Sequence, residues 1–84
     1  KIDEALKEYA AAAALAPEIL ELPFWQAVTL VSVGREQEAN PLFRKVFAED
    51  RSWADMTPRL PKAGLLPDDP ALIARIVAEA PKAR

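Results

Sequence analysis

Cysteine and histidine are both missing from this chain of 84 residues. Without cysteine there are no disulfides, no thiolate nucleophile and no cysteine-based zinc site. Without histidine the usual general base near neutral pH is gone. Charge of one sign is also scarce. The net charge is −2, whereas domains that bind nucleic acid electrostatically are strongly basic. No apolar run approaches the roughly 18 residues that span a bilayer. The richest, Phe24 to Val33, is interrupted by Gln26, Thr29 and Ser32. The chain begins at Lys1 rather than methionine, so it reads as a fragment or processed product of a larger protein.

What is present is apolar and periodic. Hydrophobic residues make up 51% and charged residues 29%, which suits one small folded domain spanning 1–84. Ala5, Tyr9 and Ala12 return as Ala39, Phe43 and Val46, 34 residues later, and Ile73 and Val77 lie 34 beyond Ala39 and Phe43. That period is characteristic of tetratricopeptide helix-turn-helix repeats, whose units bury their apolar faces only by stacking. The expected fold class is therefore all-α, a right-handed tetratricopeptide-like stack of about five helices, or two and a half repeats.

The first helix is expected over Asp3 to Ala16, with Ala5, Leu6, Tyr9, Ala12, Ala13 and Ala16 on one side and Leu15 adding to the apolar pattern. Pro17 should stop it. The second begins at Glu18 or Leu22 and runs to Val33, with Pro23 in its first turn and Gly34 as its cap. Phe24, Trp25, Ala27, Val28, Leu30, Val31 and Val33 leave it almost no polar face, so it should lie at the centre of the bundle. The third, Arg35 to Glu49, carries the stripe Ala39, Leu42, Phe43, Val46 and Phe47. Pro41 within it removes one backbone bond and should bend it near Gln37. Ser52 and Asp55 read as a capping box for a fourth helix, Trp53 to about Leu60. A proline-rich connector follows. Asp69 and Pro70 then open a last helix reaching about Ala80, with the stripe Leu72, Ile73, Ile76 and Val77.

Few residues suggest chemistry. The hydroxyls of Tyr9, Thr29, Ser32, Ser52 and Thr57 have no histidine to activate them. Thr29 and Ser32 should bond to the preceding helical turn. The acidic pairs Asp3-Glu4, Glu49-Asp50 and Asp68-Asp69 flank helix ends or sit in a loop, where they act as caps. Two adjacent acids fall far short of a calcium ligand set, so neither a metal nor a cofactor is expected. Candidate ligand-binding residues are the tryptophans Trp25 and Trp53 as aromatic platforms, and Arg44, Arg51 and Arg59 for carboxylate or phosphate. Trp25 reads chiefly as core, and Trp53 as the more reachable of the two. Arg44, Lys45, Arg51, Arg59 and Lys62 are close enough in sequence to form a basic patch.

Two resemblances follow from these residues. "EALKEYAAAAALAPE" and "GREQEANPLFRKVFAED" resemble the second helix of a tetratricopeptide repeat. Residues 20–80 also resemble a small helical domain at the C-terminus of bacterial proteins with an Ntn-hydrolase-like body, a domain to which peptidoglycan binding is ascribed. The shared features are Phe24-Trp25, Gly34-Arg35, Trp53, Arg59-Leu60-Pro61 and Gly64-Leu65-Leu66-Pro67, and Pro23 is a departure from the pattern. This resemblance implies a non-catalytic module that binds cell-wall glycan or stem peptide, appended to a hydrolase-like body and located at the cell envelope. The alternative is a protein-interaction, intramolecular docking or homodimerisation domain. The apolar surface of Phe24, Val28 and Val31 would then be either its groove or its core. Two and a half repeats also leave end helices with uncovered apolar faces.

Overall fold

The computed structural model describes residues 2–16 and 18–81. These form five α-helices and no strand: α1 (Ile2–Leu15), α2 (Glu21–Ser32), α3 (Glu36–Glu49), α4 (Ser52–Met56) and α5 (Pro70–Val77), with a 3₁₀ turn over Thr57–Arg59 after α4. The expected all-α stack is what forms. The site of the Pro17 stop lies outside the described residues. α3 and α5 start at residues 36 and 70, 34 positions apart.

Neighbouring helices pack in chain order, α1 on α2, α2 on α3, α3 on α4 and α4 on α5. α2 is covered from both sides because its apolar residues run round most of its circumference. Phe24, Ala27, Val28, Leu30 and Val31 are all buried, so the apolar surface of Phe24, Val28 and Val31 is core and not a groove. Pro23, the third residue of α2, sits where a backbone N–H would have no intrahelical partner, so the helix tolerates it. The α3 stripe is inward as expected, with Ala39, Phe43, Val46 and Phe47 buried and Leu42 packed against them. α3 continues through Pro41 to Glu49. On α1 the six expected inward residues are each half-buried and none is fully buried. Leu15 is 88% exposed and contributes nothing to that face.

Phe24 is the hub. Its ring, 0% exposed, meets Trp25 at 5.1 Å edge-on, Phe43 of α3 at 5.9 Å edge-on, and Trp53 of α4 at 4.8 Å in a tilted stack. Phe43 in turn stacks on Phe47 at 5.7 Å. Edge-to-face and offset pairs such as these add stabilisation beyond the area they bury.

The ends of the helices follow local chemistry. Gly34 has φ +81°, the left-handed conformation that closes a helix. Arg35 N–H donates to Leu30 O at 2.8 Å and Gly34 N–H to Val31 O at 3.0 Å, the paired bonds of a Schellman cap. The same two bonds recur at Gly64, φ +76°, where Leu65 N–H reaches Leu60 O and Gly64 N–H reaches Pro61 O. The connector is therefore more ordered than its prolines suggest.

Three boundary expectations need correcting. Ser52 and Asp55 form no capping box. Asp50 lies two residues before Ser52 in extended conformation, and its Oδ1 accepts from both the N–H and the hydroxyl of Ser52. α4 stops at Met56 because Pro58 has no N–H for the next helical bond, and the chain tightens into the 3₁₀ turn. α5 ends at Val77, after which Glu79 and Ala80 donate to carbonyls only three residues back. Its start is as expected, with Asp69 Oδ1 accepting from Ala71 N–H and Leu72 N–H and Pro70 in the first turn.

Two substitutions separate backbone from packing. Gly34→Ala should cost about 1–2 kcal/mol from backbone strain alone, since no atom crowds a β-carbon at that position. Phe24→Ala should cost about 3–5 kcal/mol. Urea unfolding midpoints measure both, and a Phe24→Ala loss no larger than that of Gly34→Ala would contradict the hub assignment.

Candidate functional site

The five residues singled out from sequence do not converge. Trp25 and Trp53 are each half-buried, and both rings pack on Phe24. Arg44 Nε and Nη2 donate to Glu79 Oε1 at 3.0 and 2.8 Å. Arg51 donates to the carbonyl of Pro81. Arg59 is exposed, with no side-chain bond or ion pair among the described residues. The basic run does not form one patch, since Lys45 lines a groove with Glu18 and Glu49 while Lys62 lines another beside Pro61.

The arginines instead tie the layers together. Arg75 Nε and Nη2 make a forked pair with Glu36 at 2.9 and 3.0 Å, joining α5 to the start of α3. Arg44–Glu79 joins the same two segments further along. Both chains advance in the same direction between the two pairs, so α3 and α5 run parallel. Arg35, just before α3, makes a fork with Glu38 and reaches Asp3 near the start of α1 at 3.3 Å. The starts of α1 and α3 are therefore neighbours. These pairs perturb the carboxylates. Glu36 titrates below its usual range because Arg75 hydrogen-bonds its charged form, and Arg35 does the same to Glu38. Asp50 is lowered by the side-chain and backbone donors of Ser52.

The hydroxyl groups are equally committed. Thr29 Oγ1 donates to Trp25 O, Ser32 Oγ to Val28 O and Thr57 Oγ1 to Trp53 O, each at 2.8–2.9 Å. The first two are the back-bonds expected from sequence. Among the described residues no three His, Cys, Asp or Glu side chains group closely enough to hold a metal ion. No described helix is long and apolar enough to cross a membrane.

The most apolar concavity lies elsewhere, between the proline-rich connector and α5. It measures about 450 Å³ and is lined by Pro58, Pro61, Lys62, Asp68, Pro70, Ile73, Ala74 and Val77. Three pyrrolidine rings and the outer edge of the α5 stripe make its walls apolar. Lys62 and Asp68 supply one charge of each sign. Prolines have a fixed φ, so these walls are preorganised and lose little freedom when covered. Of these residues only Lys62, as a member of the basic run, was singled out from sequence for binding. The available signal was the spacing of Pro58, Pro61 and Pro70 ahead of Ile73 and Val77, which sit one turn apart on the rim of their helix.

The chain matches no family model, no curated protein and no solved structure.

A pH titration of stability tests the ion-pair assignments. A carboxylate lowered in the folded state stabilises above its unfolded value, about 4–4.5, and loses that contribution as pH falls through the folded value. With no histidine to titrate, the urea midpoint should stay flat from about pH 7 to 5.5 and fall below about 4. Glu36→Gln should lower the midpoint at pH 7 and reduce the acid slope. An unchanged slope would count against the Glu36–Arg75 pair.

Proposed function

We propose that this domain is a non-catalytic binding module that holds an apolar peptide segment in the groove between the 58–70 connector and α5. The observation that carries this reading is the groove's lining of three prolines with Ile73, Ala74 and Val77. A small number of polar groups in an apolar cleft is the usual composition of a recognition site. Lys62 and Asp68 are placed to take a backbone or terminal charge of the ligand. The commitment of the Thr29, Ser32, Ser52 and Thr57 hydroxyls to helix back-bonds and a cap supports a binding role over a catalytic one. The 34-residue spacing of the α3 and α5 starts supports the tetratricopeptide-like reading, in which stacked units serve as interaction scaffolds.

A second reading, binding of peptidoglycan stem peptide, rests on the resemblance of residues 20–80 and on one further observation. Lys62 lines the groove, Arg59 lies between its lining residues Pro58 and Pro61 in sequence, and both are exposed. Two cations there suit the carboxylates of a stem peptide.

The two readings separate experimentally. Ala74 is exposed and lines the groove, so Ala74→Trp should fill it without touching the core. Peptides selected from a displayed library should be rich in large apolar side chains and bind the Ala74→Trp variant at least tenfold more weakly. Selected peptides indifferent to that change would refute the groove. On insoluble peptidoglycan, retention that disappears in an Arg59→Ala, Lys62→Ala double variant favours the second reading, and no retention of the unmodified chain discards it.

A further inference from the structure

The walls of the proline-lined groove offer a bound chain very few backbone hydrogen bonds. Pro58, Pro61 and Pro70 have no N–H to give. The N–H groups of Ile73, Ala74 and Val77 lie within α5 and are engaged by the preceding turn, that of Ile73 by Asp69 O at 3.0 Å. The carbonyl of Pro61 is also taken, by Gly64 N–H. Among the lining residues only Lys62 and Asp68 keep an N–H outside a helix, and two separated donors do not make a ladder. A peptide carries a donor and an acceptor on nearly every residue, and each is costly to bury without a partner. An extended segment would leave the groups facing these walls unpaired. An α-helix pairs its own backbone and can be buried on one side without that penalty.

Other common ways of gripping a peptide are not built here. Adding a strand needs a free sheet edge, and the described residues contain no strand. Docking a polyproline segment needs aromatic walls, and no aromatic residue lines this groove. The relief does suit a helix. Pro70, Ile73, Ala74 and Val77 follow the i, i+3, i+4, i+7 pattern of one helical face, which extends about 10 Å. Pro58 in the 3₁₀ turn and Pro61 just after it form a shorter opposing ridge. A trough between two ridges accepts the ridge of a third helix. Charge narrows the occupant further. Lys62 and Asp68 are both exposed, and neither has an ion pair among the described residues. A complementary helix carries an acid for the first and a base for the second.

We infer, resting on the peptide-binding role proposed above, that the occupant of the groove is an amphipathic α-helix of a partner polypeptide. It presents an apolar ridge about two turns long, with an acidic residue opposite Lys62 and a basic residue opposite Asp68.

The probes are the displayed-library peptides whose binding to the whole 84-residue chain is weakened by Ala74→Trp. Carbon-13 Cα shifts are recorded for each bound peptide, and an alanine scan locates its solvent-facing positions. Helical shifts over about two turns are expected. Proline at a central solvent-facing position should weaken binding roughly a hundredfold, because it breaks the bound helix without removing a contact. Lys62→Glu should weaken peptides bearing the acid by roughly fivefold, and Asp68→Lys those bearing the base by a similar factor. Groove-dependent peptides that bind in extended form, or that tolerate the central proline, overturn the helix and leave the groove reading standing. Helical peptides indifferent to both charge reversals overturn the charge pattern. Shifts at Ile73 and Val77 that grow with protein concentration alone would assign the groove to a second copy instead. If no selected peptide responds to Ala74→Trp, the groove reading itself fails and the helix fails with it.

Discussion

The burial of one phenylalanine organises this domain. Phe24 lies on the most apolar helix and is the point at which α2, α3 and α4 meet through aromatic rings. A domain of this size buries a modest share of its surface, so its core cannot spread its stabilisation over many independent sites. Placing the largest side chains edge-on around a single centre concentrates that stabilisation. The cost is that the tryptophans, the most versatile recognition residues in the chain, are drawn into packing and half-buried.

Around this centre, charge does a different task. The forked pairs Arg75–Glu36 and Arg35–Glu38, with Arg44–Glu79 and Arg35–Asp3, lie at exposed or half-exposed positions. Surface pairs of this kind contribute little to stability individually. Their effect is on register. Three of them connect segments that are not consecutive in the chain, α1 with the start of α3 and α3 with α5 and the residues just after it, which touch less than the helices adjacent in sequence. The apolar core decides which helices meet, and the arginines fix how far each has slid along its neighbour.

Much of this was legible from the residues. The stripes on α1, α3 and α5 pointed inward as their spacing required, and Gly34, Asp69 and Pro70 marked helix ends through conformational preferences that need no tertiary context. The errors cluster where tertiary or competing local chemistry intervenes. Asp50 took the capping role assigned to Ser52 because an extended aspartate preceding the helix can accept two bonds at once. Leu15 turned to solvent because α1 has a packed helix on one side only. Among the arginines read as ligand-binding candidates, Arg44 pairs with Glu79, a partner 35 positions away that sequence proximity could not show. The groove on α5 was hidden for the opposite reason. Prolines were weighed as interruptions of helices, and their rings as a surface were not considered.

The proline-lined groove also has an asymmetric construction. One wall is a connector closed by the Gly64 cap, and the other is α5, which sets Leu72 and Ile76 into the core and touches α4 and the 3₁₀ turn. A ligand seated in the groove would touch both walls and so bridge the connector to the helix. Occupancy and the docking of α5 against the connector are then linked by mass action, and a bound segment would be felt as a tightening of that junction.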